Sequence, residues 1–407
     1  MKPMRFIIRT AAFTVCLAVA GTVFSAANAE SEPLNLNSGA INEQPLHYVS
    51  QPTDSALSVS AASAILIEAN TGTVLYAKNE KEHRSIASTT KIMTALLTLE
   101  VGEPDKQFTV DSTAIKVEGT SMGLREGDIV TRRALCYGML LPSGNDAANA
   151  AAISVSGSMS VFAEKMNAKA RALGMNDSNF VTPSGLDADG QYSCAYDLAL
   201  LTSYALKNED FKEICCLSKA KVSFGNPPTN RWLLNSNKLL YSYPDCIGVK
   251  TGFTDNARRT LVSAAERDGV LLIAVTLNAP DDWKDHTKLL DYGFSKVSAQ
   301  PAEYDCSGIK IPVVSGESEY IEVALKDKAT LVLTDEQREQ VTAEVYLPKF
   351  VYGGISAGDA LGEVRFMLYG NVIATSELCA EQSCGTAPQE VSFFTALYKF
   401  FKAILPI

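Results

Sequence analysis

The stretch Arg259-Thr260-Leu261-Val262-Ser263-Ala264-Ala265 is followed by Glu266-Arg267-Asp268-Gly269 and then by an apolar run from Val270 to Leu277. Two apolar runs of strand length, joined through Asp-Gly, predict a β-hairpin, because that pair tolerates the positive φ angles of a tight turn. Further back, Ser60 to Glu68 and Thr73 to Ala77 flank the turn-forming Ala69-Asn70-Thr71-Gly72 and predict a second strand pair. Between the two pairs the period changes. From Ser85 to Glu100, Ile92, Leu96 and Leu99 recur on one helical face, and Thr131 to Leu141 reads as a helix stopped by Pro142. The Ala-rich segment Asn145 to Val155 suits a buried helix, and Trp283 to Phe294 reads as another, carrying Leu289 and Leu290. Central helices combined with antiparallel hairpins predict an α+β domain over residues 57–300.

A chain of 407 residues is too long for one typical core. After Ala299-Gln300-Pro301 the character shifts to short strand-like runs: Lys310–Val314, Tyr320–Leu325, Ala329–Leu333, Thr342–Leu347, Gly362–Leu368 and Asn371–Ser376. They predict a small all-β domain over 303–378, followed by a polar linker, 379–390. In the last segment, 391–407, Phe393, Phe394, Leu397, Phe400, Phe401, Ile404 and Leu405 recur at helical spacing. A helix of about fifteen residues reaches roughly 22 Å, short of the ~30 Å hydrocarbon core, so this stripe predicts an amphipathic helix lying in a membrane interface. Docking of that helix on the β-domain is the alternative.

At the other end, Lys2, Arg5 and Arg9 precede an apolar run from Thr10 to Phe24 and the small-residue site Ser25-Ala26-Ala27-Asn28-Ala29. This reads as a signal peptide over 1–29, the run being short for an uncleaved membrane anchor. Residues 30–56, punctuated by Pro33, Pro45 and Pro52, read as a leader or linker. Export, with the tail on the outer face of the cytoplasmic membrane, is the localisation these ends predict. The formal net charge is −10, and losing the signal peptide removes three positive charges, which argues against nucleic-acid binding. Eight cysteines lie beyond the signal peptide, at 136, 194, 215, 216, 246, 306, 379 and 384, without the paired spacing of a zinc site. Cys379 and Cys384 could close a small disulfide loop or stay as thiols. No metal and no cofactor is expected.

Three short motifs carry chemistry: Ser88-Thr89-Thr90-Lys91, Ser143-Gly144-Asn145 and Lys250-Thr251-Gly252. A serine and a lysine one turn apart share a helix face, and the lysine can activate the hydroxyl if burial or nearby positive charge lowers its pKa. For an isolated pair, an N-cap serine with a snorkelling lysine is the commoner arrangement. S-x-x-K also occurs at Ser218–Lys221, so the first motif alone says little. Ser143 and Asn145 follow Pro142 in a tight turn between helices, where a hydroxyl and an amide can project into a cleft or merely cap a helix. Lys250 can hold a substrate carboxylate, and Gly252 would let a substrate backbone approach the strand. None of the three histidines, His47, His83 and His286, has a motif context, the last sitting in an expected surface helix, so Ser-Lys chemistry fits better than a Ser-His-Asp triad. The three motifs appear in order, and together they are far more specific than any one.

Together they resemble the penicillin-binding protein and β-lactamase superfamily. More closely, the chain is similar to the low-molecular-mass D-alanyl-D-alanine carboxypeptidases, peptidase family S11. The similarity rests on Ala69-Asn70-Thr71-Gly72-Thr73-Val74-Leu75, Leu141-Pro142-Ser143-Gly144-Asn145-Asp146-Ala147-Ala148, Ser184-Gly185-Leu186-Asp187 and Leu261-Val262-Ser263-Ala264-Ala265. It implies a transpeptidase/β-lactamase-like fold, peptidoglycan stem peptides as substrate and β-lactams as covalent ligands. It further implies Ser88 as acyl-ester nucleophile, Lys91 as its base, and Ser143 with Asn145 in proton transfer and substrate binding. Lys250, with Thr251 beside it, would bind the terminal carboxylate, and the backbone N–H groups of Ser88 and Phe253 would form the oxyanion hole.

Two positions depart from the family pattern: Ser184, where histidine is frequent, and Ala257-Arg258, where an Ala-Gly pair is. A serine β-lactamase is the nearest rival, but no Glu-x-x-Leu-Asn stretch supplies its deacylating base between Ser143 and Lys250. A non-catalytic peptidoglycan-binding scaffold would not need Ser88, Lys91, Ser143 and Lys250 all intact.

Overall fold

The computed structural model describes residues 57–388, together with the backbone of the short strands Met4–Ile7 and His47–Tyr48. Beyond those strands, the expected signal peptide, leader and C-terminal amphipathic helix lie outside the described residues. Two compact units are present, one of Asn42–Ala299 with Val332–Asp335, the other holding Gln300–Leu331 and the chain from Glu336 onward.

In the larger unit the hairpin expected at 259–277 is the centre of a six-stranded sheet. Its order is His47–Tyr48, Thr73–Lys78, Ser63–Glu68, Val270–Leu277, Arg258–Arg267 and Cys246–Thr254. All neighbours are antiparallel except the first pair. Arg267 pairs with Val270, and the two residues between them, Asp268 (φ 50°) and Gly269 (φ 82°), are both left-handed, the conformation of a type I′ turn.

Strands Ser63–Glu68 and Val270–Leu277 are apolar along almost their whole length because helices cover both faces. On one face Ile65, Ile67, Val262, Ala264, Ile273 and Val275 pack with helices Lys91–Glu100, Arg132–Leu140, Asn145–Ser156 and Ala195–Ala205. On the other, Ala64, Leu66, Leu261, Ala265, Leu272 and Ala274 meet Leu289 and Leu290 of helix Asp282–Lys296.

Two expectations need correction. The helix read from Ser85 is a 3₁₀ turn, Ala87–Thr90, that runs into an α-helix only at Lys91. Ala87 (φ 46°) bends the chain into that turn, so Ser88 precedes the α-helix instead of opening it. His286 does not sit at the surface. It is wholly buried against the sheet, with Nδ1 2.5 Å from Ser263 Oγ and Nε2 2.9 Å from Thr276 Oγ1, and burial pushes its pKa down to about 3. Helices Met159–Ala172 and Glu209–Cys215 and the hairpin Lys219–Phe224/Thr229–Leu234 were not anticipated.

The second unit is the expected all-β domain. Its sheet runs in the order Met4–Ile7, Thr342–Leu347, Ala360–Leu368, Asn371–Ala380, Tyr320–Leu325, Lys310–Val314 and Val351–Tyr352. Ile311, Ile321, Val323, Val345, Val364, Phe366 and Leu378 are buried in it. The last strand reaches Ala380, and bridges Ile355↔Cys384 and Gly316↔Thr386 hold the following residues against the domain. The described part of the segment expected as a linker is therefore fixed to the sheet. Cys379 and Cys384 are buried, and all eight described cysteines are free thiols.

Candidate active site

In a 3₁₀ turn residues i and i+3 eclipse, so Lys91 stands directly over Ser88, and Lys91 Nζ lies 2.8 Å from Ser88 Oγ. Lys91 is completely buried, and its Nζ also donates to Asn145 Oδ1 at 2.7 Å and to the Ser184 carbonyl at 2.5 Å. Desolvation, reinforced by the nearby charge of Lys250 and opposed by Asp146, holds its pKa well below the usual lysine range. The partners match that shift. A neutral amine has two N–H donors and one lone pair. Asn145 Oδ1 and the Ser184 carbonyl can only accept, whereas the Ser88 hydroxyl can donate. The geometry therefore suits an uncharged Lys91 that accepts the Ser88 proton.

Asn145 begins helix Asn145–Ser156, and its orientation is fixed from behind because Nδ2 donates to the Glu118 carbonyl at 2.7 Å. Ser143, nearly buried, sits at φ 68°, a left-handed angle for a non-glycine residue of the kind that clusters at functional sites. Gly144 has no room for a side chain: a Cβ there would lie 2.8 Å from both Asp146 Oδ1 and Met122 N. Asp146, which the sequence reading did not single out, organises this corner. Its carboxylate accepts from Ser121 Oγ at 2.6 Å and from the backbone N–H groups of Met122 at 2.9 Å, Gly123 at 3.1 Å and Leu124 at 2.9 Å. Thr120 Oγ1 donates to the Ser143 carbonyl and Asn145 N to the Thr120 carbonyl, so segment 118–124 is strapped across the turn.

Lys250 lies on Cys246–Thr254, the last strand of the six-stranded sheet. It is fully buried, its Nζ donates to the Thr251 carbonyl at 2.9 Å, and desolvation lowers its pKa to about 7. Gly252 pairs with Thr260, and a Cβ on it would come within 3.1 Å of Ser88 N and 2.3 Å of Thr260 Oγ1. The space of its absent side chain is thus taken by the Thr260 hydroxyl and the Ser88 backbone, where the sequence suggested approach by substrate. Thr251 is half-buried and Phe253 is 59% exposed. Ser88, Lys91, Asn145, Lys250 and Gly252 come together, with Ser143, Thr251 and Phe253 adjoining them in the chain. The second S-x-x-K is not a site: Lys221 is exposed on a strand, and Ser218 precedes it three residues back.

The two departures from the family pattern resolve differently. Lys91 is held by the Ser184 carbonyl, which any side chain at that position supplies. Arg258 is exposed at φ 58°, a conformation that a glycine adopts without strain.

A Ser-Lys pair with its lysine buried, completed by an asparagine and a lysine-bearing edge strand, defines a penicillin-recognising serine peptidase. Residues 49–281 match the D-alanyl-D-alanine carboxypeptidase family, peptidase S11, and residues 301–385 match the C-terminal domain of penicillin-binding protein 5. A D-alanyl-D-alanine carboxypeptidase of Bacillus subtilis, DacF, is 33% identical over 338 residues, 81% of this chain and 87% of that protein. Penicillin-binding protein 5 from Haemophilus influenzae superposes with TM-score 0.60 at 26% identity, over 83% of this chain and 99% of that one. The Streptomyces K15 DD-transpeptidase superposes with TM-score 0.56 at 32% identity, over 61% of this chain and 100% of that one. The chain belongs to the D-alanyl-D-alanine carboxypeptidases of peptidase family S11, serine hydrolases among the low-molecular-mass penicillin-binding proteins.

Proposed function

We propose that this enzyme removes the terminal D-alanine from peptidoglycan pentapeptides through an acyl-enzyme on Ser88, and that penicillin acylates the same oxygen. The contact that carries this reading is the 2.8 Å approach of buried Lys91 Nζ to Ser88 Oγ. Neutral Lys91 takes the hydroxyl proton as Ser88 Oγ attacks the carbonyl of the penultimate D-alanine. Charge developing on that carbonyl oxygen is met by the backbone N–H groups of Ser88 and Phe253. As the C–N bond breaks, a proton passes to the leaving amine by way of Ser143, and water then hydrolyses the ester. Protonated Lys250, with Thr251, holds the terminal carboxylate. A β-lactam offers the same carbonyl and carboxylate, but its leaving nitrogen stays tethered.

In this reading the protein is exported, its signal peptide removed, and it acts on the outer face of the cytoplasmic membrane in wall synthesis and cell shape. The apolar stripe of 391–407 supports that placement. Labelling with fluorescent penicillin followed by peptide mapping tests the chemistry. The adduct is expected on Ser88, absent from Ser88→Ala and slow to hydrolyse; an adduct on Ser218 would overturn the assignment, and rapid turnover would point to a β-lactamase.

A further inference from the structure

Outside the cleft, the hairpin Lys219–Phe224/Thr229–Leu234 carries a surface that the chemistry does not use. Its cross-strand pairs Lys219↔Leu234, Lys221↔Trp232 and Ser223↔Asn230 put these side chains on one face, while Val222, Phe224 and Leu233 of the other face are buried. Trp232 is 62% exposed, Leu234 61% and Tyr241 66%. Tyr241 reaches the base of the same strands, its hydroxyl donating to the Ser218 carbonyl at 3.0 Å. Large apolar side chains left in water as a group mark an interaction surface.

Within this stretch of chain the charge is of one sign. From Leu217 to Tyr243 the sequence has no Asp or Glu but contains Lys219, Lys221, Arg231 and Lys238, in a chain of net charge −10. Lys219 Nζ sits 5.4 Å from the centre of the Trp232 ring, and among the described residues neither Lys219 nor Lys221 joins an ion pair. The hairpin is also tied to the active-site corner, through its opposite face and the residues that follow it. Arg231 Nη1 donates to the Gly123 carbonyl at 2.6 Å, in the segment that Asp146 holds, and Ser236 N donates to the Leu141 carbonyl, two residues before Ser143.

We propose that this face is a subsite for the polymer that carries the substrate: a glycan chain whose sugar rings stack on Trp232 and Tyr241 and whose peptide stems bring carboxylates to Lys219 and Lys221. The assignment rests on the function proposed above. Sugar rings present flat C–H faces that pack on aromatic rings, and carboxylates are attracted by unpaired ammonium groups. Its tie to the active-site corner favours the polymer over a lipid surface, because the peptide being cut hangs from that polymer and occupies the cleft at the same time. Two weak contacts on one tethered ligand multiply, so a subsite of modest strength raises the local concentration of stem peptides.

The test compares Trp232→Ala/Leu234→Ser and Lys219→Ser/Lys221→Ser with wild type. D-alanine release from a soluble tripeptide ending in D-Ala-D-Ala and fluorescent-penicillin labelling should stay within about twofold, whereas release from purified insoluble peptidoglycan should fall about fivefold or more. Co-sedimentation of the Ser88→Ala protein with that peptidoglycan should weaken on adding either pair of substitutions and, for the lysine contacts, with added salt. Undiminished sedimentation, or equal loss on tripeptide and polymer, would overturn the proposal. So would an effect of the substitutions confined to anionic vesicles or to self-association. A wild-type protein inert on the tripeptide would refute the proposed peptidase activity instead, and sedimentation would still report on this face.

Discussion

Asn145 accepts from Lys91 Nζ through Oδ1 at 2.7 Å while donating through Nδ2 to the Glu118 carbonyl at 2.7 Å. The amide cannot turn over without losing both bonds, so it presents an uncharged acceptor to the base. Asn145→Asp would place a carboxylate there and raise the pKa of Lys91, keeping it an ammonium. Acylation by penicillin at pH 7 should fall by about 10²–10⁴ and recover as pH rises, because general-base assistance is worth about that much. Stopped-flow acylation against pH checks this; a loss independent of pH would rule out the electrostatic explanation.

Lys250 gives a prediction about stability as well as binding. Its folded pKa of about 7 lies below the ordinary 10.5, so between these values the unfolded chain binds the proton that the folded chain does not. That term makes stability rise with pH across the window, and its penalty is full below it. Lys250→Met should therefore raise Tm at pH 6, with the gain fading by pH 10. The same variant should lose roughly tenfold to a hundredfold of the preference for a free terminal acid over its amide, the worth of a charged hydrogen bond. In the wild type, kcat/KM for the free acid should decline as pH rises through about 7, while the amide shows no such limb. An unchanged preference in Lys250→Met would remove the lysine from the carboxylate site.

Asp146, buried, positions the corner through its hydrogen bonds. Asp146→Ala leaves the Met122 and Leu124 N–H groups and the Ser121 hydroxyl without this acceptor, and should cost about 2–3 kcal/mol of stability. Asp146→Asn separates the electrostatic part. Because Asp146 raises the pKa of Lys91, its neutralisation should move the acid limb of acylation to lower pH. A purely structural residue would change the rate and leave that limb in place.

For the C-terminal stripe, liposome flotation of the mature protein with and without residues 391–407 is decisive. Full-length protein should float with anionic vesicles and the truncated form should stay below. If both remain soluble, the tail does not anchor the enzyme.

Much of this was legible in the residues. The Asp268-Gly269 turn, the strands Lys310–Val314, Tyr320–Leu325 and Thr342–Leu347, and the three motifs were each written in local pattern. His286 was misplaced although its own helix held the signal: Leu289 and Leu290 follow at three and four residues, so all three share the buried face. The hairpin at 219–234 also had readable alternation, in Lys219-Ala220-Lys221-Val222-Ser223-Phe224 before Gly225. The 3₁₀ turn at Ser88 had no such signal, because Ala87 takes a left-handed angle that only tertiary contacts stabilise. Nor could local pattern reveal Asp146, whose partners lie 22 to 25 residues away.

Ser88 and Lys91 are neighbours on the same turn, yet the groups that hold the lysine's amine, Asn145 and the Ser184 carbonyl, lie 54 and 93 residues further along the chain. While those segments are unfolded, Lys91 is solvated, holds its proton and leaves the Ser88 hydroxyl inert. On the proposed mechanism, reactivity toward penicillin therefore requires closure of these long loops and does not follow from formation of the first helix alone. If penicillin acylates Ser88 as proposed, a labelled molecule is one in which those loops have closed, and the antibiotic itself reports on the native state.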